Sequence, residues 1–240
     1  MTSTFVLTLI VLCASILQAG TGFGFAMMAI PFLLLILSPH DAIQLNIILC
    51  LLITIIMTYK IRNEVNKENL IRLIKGSLIG VLPGFLIFVF LDVQPLKIFV
   101  SILILTSTAL LIAKVKIKES NAKGLLTGIL SGLLTTSIGM PGPPLLIYFA
   151  GAKIDKAVLR STTMAYFVFI CSVSLLLQLS MYNIAKNIWL STLWSIPFML
   201  IGIYLGERLY TRLDQQLFYK VIYWVLLLTG IYLLITTIVG

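Results

Sequence analysis

Charged residues are scarce in this chain of 240 residues: they make up 10% of it, against 60% hydrophobic residues, and the mean hydropathy is +1.12. Soluble domains carry about one quarter charged residues, so this scarcity excludes an ordinary water-soluble fold and predicts an integral membrane protein. The eight acidic residues all lie at the edges of apolar runs. A proton relay that depends on a buried carboxylate is therefore not expected.

Residues for catalysis and metal binding are also missing. The chain has one His, and its three Cys residues are isolated within apolar runs, without a C-x-x-C motif for redox work or metal binding. It has no G-x-S-x-G, no H-E-x-x-H and no P-loop. The sequence thus predicts neither an enzyme nor a bound cofactor or metal. The net charge of +9 comes from basic residues in short loops, which is typical of topology signals and not of nucleic-acid binding.

Long apolar runs dominate what is present. Ten segments can be drawn, at about 4–19, 22–38, 42–59, 71–91, 95–113, 124–138, 141–151, 157–180, 187–206 and 217–239. A helix needs roughly 20 residues to cross the hydrocarbon, and the longer segments meet this. The pairs 4–19 with 22–38 and 124–138 with 141–151 are short. Each pair predicts a broken or re-entrant helix, which a membrane tolerates only where protein or a cavity covers the freed backbone.

The distribution of Lys and Arg predicts the orientation. If the loop 59–75 faces the cytoplasm, fifteen of the seventeen basic residues lie inside, and only Lys97 and Lys186 lie outside. Both termini then face outward. The first twenty residues lack a basic start and an Ala-x-Ala site, so we expect a retained segment and not a signal peptide. This pattern predicts a multi-pass protein of the cell membrane, plasma or inner.

The two halves of the chain resemble each other. Residues 1–115 can be laid over residues 121–240, with Pro31 on Pro144. Five segments is an odd number, so the second copy starts from the opposite side of the membrane. The predicted fold is an all-α polytopic membrane protein of two inverted repeats, each of about five helical segments and each beginning with a broken helix.

The two breaks carry the candidate substrate site. A Gly- or Pro-rich interruption at matching positions of two repeats is typical of half-helices whose exposed N–H groups and dipoles hold an anion. Nearby hydroxyl and amide groups would set specificity. The predicted substrate-binding residues are Gln18, Gly20, Thr21, Gly22, Phe23, Gly24, Asn46, Thr135, Thr136, Ser137, Gly139, Pro141, Gly142, Ser161 and Thr162.

Alternatives remain for some of these residues. Small residues also permit close helix packing in membranes, and that interpretation is preferred for glycines outside the breaks. Asn46, Ser161, Thr162 and Thr163 could face the breaks, or equally bond their own helix or a neighbour.

Several motifs together resemble the sulfite exporter TauE/SafE family. They are Gln18-Ala-Gly-Thr-Gly-Phe-Gly-Phe followed by Pro31, Gly124-Leu-Leu-Thr-Gly-Ile-Leu-Ser-Gly-Leu, Gly139-Met-Pro-Gly-Pro-Pro and Arg160-Ser-Thr-Thr. The resemblance implies a permease or exporter of sulfite, sulfonates or related small anions, with the two breaks as its site. Its partners would be a small anionic substrate and the lipid bilayer. The protein could also form a homo-oligomer. Two competing hypotheses are a five-plus-five metabolite exporter of the drug/metabolite type and a membrane scaffold without transport.

Overall fold

The computed structural model describes residues 2–90, 120–151 and 154–212, with single positions at 95, 102, 106, 220, 224, 227, 228, 231 and 235. Over these residues the chain is helical and contains no strand, which confirms the predicted all-α class. The predicted segments 95–113 and 217–239 lie almost wholly outside the described residues. The helices are α1 (Thr2–Thr21), α2 (Phe25–Ile36), α3 (Pro39–Ile61), α4 (Lys67–Phe90), α5 (Asn121–Ile138), α6 (Gly142–Gly151), α7 (Lys156–Met181) and α8 (Lys186–Arg212).

Local chemistry fixes where several helices begin. Ser38, Ser120 and Asp155 precede α3, α5 and α7, and each side chain accepts a hydrogen bond from a backbone N–H of the first turn. Both predicted interruptions are present. The chain leaves the helical conformation at residues 22–24, between α1 and α2, and at residues 139–141, between α5 and α6.

Four of the described helices, α3 (with the short turn Arg62–Glu64 that continues it), α4, α7 and α8, are long and apolar enough to cross a membrane. The helices on either side of the first break are shorter apolar helices. Of the four candidate spans α3 is the most enclosed, with 67% of its apolar window buried against 33–39% in the other three. The protein therefore places α3 at its centre.

Glycines bring two helix pairs into backbone contact. On α4, a Cβ at Gly80 would lie 1.9 Å from the carbonyl oxygen of Ile129 on α5, and a Cβ at Gly76 would lie 2.1 Å from that of Leu125. On α8, a Cβ at Gly206 would lie 2.5 Å from a carbonyl oxygen of α1. No larger residue fits these seams, which agrees with the packing interpretation made for these glycines. The seams hold α4 on α5 and α1 on α8, while α3 packs on α7.

Candidate functional site

The first hinge, residues 18–25, forms where α1 stops and α2 begins. Gly22 and Gly24 have φ angles of 87° and 114°, in the left-handed region that residues with a side chain seldom adopt. The N–H of Gly22 still bonds the carbonyl of Gln18 at 2.8 Å. The helix therefore ends within two residues, and the chain reverses without a long loop.

Gln18 spans this hinge with its side chain. Its Oε1 accepts a hydrogen bond from the N–H of Phe25 at 3.0 Å, and its Nε2 donates to the Sδ of Met164 on α7 at 3.6 Å. The side chain is fully buried. Thr21 acts locally, because its hydroxyl contacts the carbonyl of Leu17 at 2.7 Å and the backbone of Phe23. The polar groups of the hinge thus stabilise the reversal itself.

The second hinge, residues 135–142, ends α5 with Gly139 at a φ of 73°. Two amide side chains from other helices hold its backbone. The Nδ2 of Asn46 on α3 donates to the carbonyl of Gly139 at 2.9 Å, and the Nε2 of Gln178 on α7 donates to the carbonyl of Thr136 at 3.1 Å. The hydroxyl of Ser131 donates to the carbonyl of Pro141 at 2.7 Å. Asn46 therefore lies at the hinge and bonds the backbone of this neighbouring segment.

The two hinges adjoin. A Cβ built on Gly142, the first residue of α6, would lie 2.4 Å from the Cε of Met27 and 3.8 Å from the Cβ of Phe23. Both hinges also meet the interior of helices long enough to span. Met164 is the ninth of 26 residues in α7, and Asn46 is the eighth of 23 in α3. The fold thus joins the first turn of α2 to the first turn of α6 inside the helical core.

The two half-helices differ in the donors they present. The first turn of a helix has N–H groups without an acceptor in that helix. In α2 these are the N–H groups of Phe25, Ala26 and Met27, and the first of them donates to the side chain of Gln18. In α6 the helix begins at Gly142, so Pro143 and Pro144 occupy its first turn and carry no N–H. Because both prolines lie inside the helix, we expect the first turn of the second half-helix to present only one free backbone N–H.

The hydroxyls near the second hinge are already engaged. Thr135 and Ser137 donate to the carbonyls four residues back, at 2.6 and 2.7 Å. Thr136 lies 3.0 Å from the carbonyl of Gly132 and 2.8 Å from the hydroxyl of Ser174. A hydroxyl has one proton, so in this conformation Thr135 and Ser137 can accept but cannot donate to a ligand.

Three predicted site residues make their contacts elsewhere. A Cβ at Gly20 would lie 3.4 Å from the carbonyl of Gly206, so Gly20 lies on the seam with α8. The hydroxyl of Ser161 donates to the carbonyl of Val158 in its own helix at 3.2 Å. Thr162 accepts the N–H of Asn66 at 3.0 Å, just before α4 begins. Their contacts are those of packing and capping.

A family model supplies the comparison with known proteins. The model of the sulfite exporter TauE/SafE family matches residues 7–233 of the chain. The chain belongs to this family. Neither the curated proteins nor the solved structures gave a match. Membership in the TauE/SafE family makes the chain a multi-pass membrane transporter, in a family that exports sulfur anions and has no enzymatic role.

One charged residue beside the candidate site, Arg160, was not among the predicted site residues. Arg160 was counted among the cytoplasmic basic residues, yet it is only 5% exposed and its backbone packs on the first hinge. A Cβ at Gly22 would lie 2.7 Å from the Cα of Arg160. Its Nε donates to the carbonyl of Ala19 at 2.8 Å, across 141 positions of sequence. Its place in the Arg160-Ser-Thr-Thr motif was the one signal available.

Proposed function

We propose that this protein is a cell-membrane permease that exports a small sulfur oxyanion, sulfite or a sulfonate, by alternating access around the two hinges. The observation that carries the proposal is the contact between the hinges, where Gly142 abuts Met27 and Phe23. Two interruptions 120 positions apart, counted from Gly22 to Gly142, would have no reason to meet if each were only a turn. Broken helices that converge inside a transporter are typical of substrate sites.

The chemistry of the hinges suits an anion. The first turn of the half-helix α2 presents the N–H groups of Ala26 and Met27. It also carries about half a positive charge. The side chains of the hinges are neutral, so an entering anion meets no carboxylate there. A small oxyanion fits better than a large solute, because Phe23, Met27 and Gly142 leave little space between the hinges.

The packing pattern supports two repeats, 1–115 and 121–240. We let α1–α4 correspond in order to α5–α8. The seam between α4 and α5 then matches the seam between α8 and α1. Under the same correspondence, the contact between α4 and α7 matches the contact between α8 and α3. The central pair of α3 and α7 matches itself, because each helix corresponds to the other. A pseudo-two-fold axis produces such an exchange, and the five segments predicted for each repeat, an odd number, would make the relation inverted.

The seams also suggest which bodies move. The α4–α5 and α1–α8 seams each join one helix from either repeat through backbone contacts, which leaves little freedom within a pair. We expect each pair to move as a unit. Alternating access would then change the contacts that α3 and α7 make with these pairs, and the hinges would open first to one side and then to the other.

The membrane potential is the proposed driving force. An anion leaving a cell with a negative interior gains about 2.3 kcal/mol per charge per 100 mV. The described acidic residues lie at or near helix ends, such as Asp41 in the first turn of α3 and Glu207 in an ion pair with Lys60. The described acidic residues therefore suggest no proton relay, and we propose that export proceeds without one. Sulfite flux that followed an imposed pH gradient at zero voltage would contradict this part of the proposal.

Flux in proteoliposomes tests the function. We expect uptake or release of sulfite, thiosulfate, sulfoacetate or the zwitterionic sulfonate taurine, and none of neutral metabolites that lack a sulfonate group. Gly142→Leu should abolish the flux because the new side chain would fill the contact with Met27. Leu130→Ala on the exposed face of α5 is the matched control and should leave it intact. Transport of neutral metabolites alone would favour a metabolite exporter, and no flux of any solute would favour a scaffold.

A further inference from the structure

Arg160 is a buried cation that no described carboxylate pairs directly, although the negative charges of Glu207 and Glu64 lie near enough to attract it. Two ion pairs occur within residues 2–90, 120–151 and 154–212, Lys60–Glu207 and Arg72–Glu68, and neither includes Arg160. A buried charge is costly unless it is paired and hydrogen-bonded. The contacts that Arg160 does make carry only partial negative charge. They are the carbonyl of Ala19 in the last turn of α1 and the side chain of Tyr210. The Tyr210 hydroxyl interacts with the guanidinium, and its ring centroid lies 4.2 Å from the guanidinium carbon.

Part of the guanidinium remains available. Its Nε is used by Ala19, but its Nη2 is buried and has no hydrogen-bond partner in the described part of the chain. Thr163 lies three residues further along α7 and therefore on the same face. Its Oγ1 is also buried and lacks a partner among the described residues. Met164 on this face contacts Gln18, so the face lies against the first hinge.

We infer that Arg160 and Thr163 form a binding site for the transported oxyanion beside the first hinge. This rests on the proposed function and adds the positive charge that the neutral hinges lack. The Nη2 of Arg160 can donate to an oxygen of a sulfur oxyanion, and the guanidinium remains charged at any physiological pH. The Thr163 hydroxyl supplies a further donor. The predicted orientation places α7 with its first residues inward, so the anion would meet this site on its way from the cytoplasm to the hinges.

A second role for Arg160 makes a different prediction. The bond to Ala19 alone would make Arg160 a cap for the carbonyl end of α1. A cap supports stability and has no reason to change the affinity for an anion. The affinity for sulfite, measured separately from the stability and from the maximal rate, therefore distinguishes the two roles.

The test uses Arg160→Gln, Arg160→Lys and Thr163→Val, with Arg208→Gln as control. Arg208 is an exposed arginine on a Tyr204 ring, 4.5 Å from its centroid, so the control removes the same charge and the same kind of ring contact. Sulfite binding is read from the concentration dependence of the thermal shift in detergent. Sulfite flux in proteoliposomes is read in parallel.

We expect Arg160→Gln to raise the half-saturating sulfite concentration by about tenfold or more, as for the loss of a charged hydrogen bond. Thr163→Val should raise it by a smaller factor, Arg160→Lys should lie between Arg160→Gln and the wild type, and Arg208→Gln should not change it. Thr163→Val is isosteric and decides the matter if the arginine variants do not fold. Unchanged half-saturation in Thr163→Val and in the folded arginine variants would overturn the inference.

The two proposals fail separately. A wild-type thermal shift that Arg160→Gln abolishes, without any wild-type flux, would support the site and contradict the transport function. Sulfite flux with half-saturation unchanged by these substitutions would support the function and overturn the site. The absence of any wild-type shift with sulfite would overturn the site as well.

Discussion

Two glycines of the first hinge should respond in opposite ways to alanine. Gly20 is helical, and a Cβ there would lie 3.4 Å from its nearest neighbour, which is ordinary van der Waals contact. Gly20→Ala should therefore keep the fold and gain up to about 1 kcal/mol from helix propensity. Gly22 has a φ of 87°, and a Cβ there would lie 2.7 Å from the Cα of Arg160.

The cost of Gly22→Ala has two parts. The left-handed conformation costs about 1–2 kcal/mol for a residue with a Cβ. The Cβ also falls short of ordinary contact by 3.4 − 2.7 = 0.7 Å, and the atom it meets is backbone, which cannot rotate away. Overpacking of this kind costs about 1–3 kcal/mol. The total is about 2–5 kcal/mol.

Thermal unfolding of the two purified variants, followed by circular dichroism, measures this difference. Gly22→Ala should unfold well below the wild type and lose sulfite flux, because α7 and Arg160 must shift away from the hinge. Gly20→Ala should unfold at or slightly above the wild-type temperature with its flux intact. Equal unfolding temperatures for the two variants would refute the geometry assigned to the hinge.

Four further substitutions test the packing and the polar contacts. Gly80→Ala puts a Cβ 1.9 Å from a backbone oxygen of α5 and should lower the unfolding temperature strongly. Gly124→Ala is the comparison: its Cβ would lie 3.3 Å from a side-chain hydroxyl, so the unfolding temperature should change little. Asn46→Leu leaves a buried carbonyl of the second hinge unpaired and should cost about 1–3 kcal/mol in chemical denaturation, with reduced flux. Glu207→Gln removes a partly exposed ion pair with Lys60 and should change the unfolding free energy by only about 0–1 kcal/mol, so a large loss would show that this pair does more than join two helix ends.

Local sequence signals located the helices and their interruptions. Apolar runs, cap residues such as Ser38 and Ser120, and glycines that permit a positive φ all act over a few residues, so they can be recognised without a structure. For the same reason the break after Thr21 and the cap at Gly139 were predictable. The start of α6 was less so, because Pro143 and Pro144 fit either just before a helix or in its first turn.

The sequence by itself determined that this is a helical membrane protein with two broken helices, because hydropathy and the conformational freedom of glycine are properties of short segments. Only the tertiary structure decided which groups meet at the breaks. The contacts from Gln18 to Met164, from Asn46 to Gly139 and from Arg160 to Ala19 span 146, 93 and 141 positions. Neither periodicity nor composition predicts contacts between residues so far apart in the sequence. The burial of Arg160, and the use of Thr162 by the N–H before α4, depend on how α7 packs against the rest of the chain.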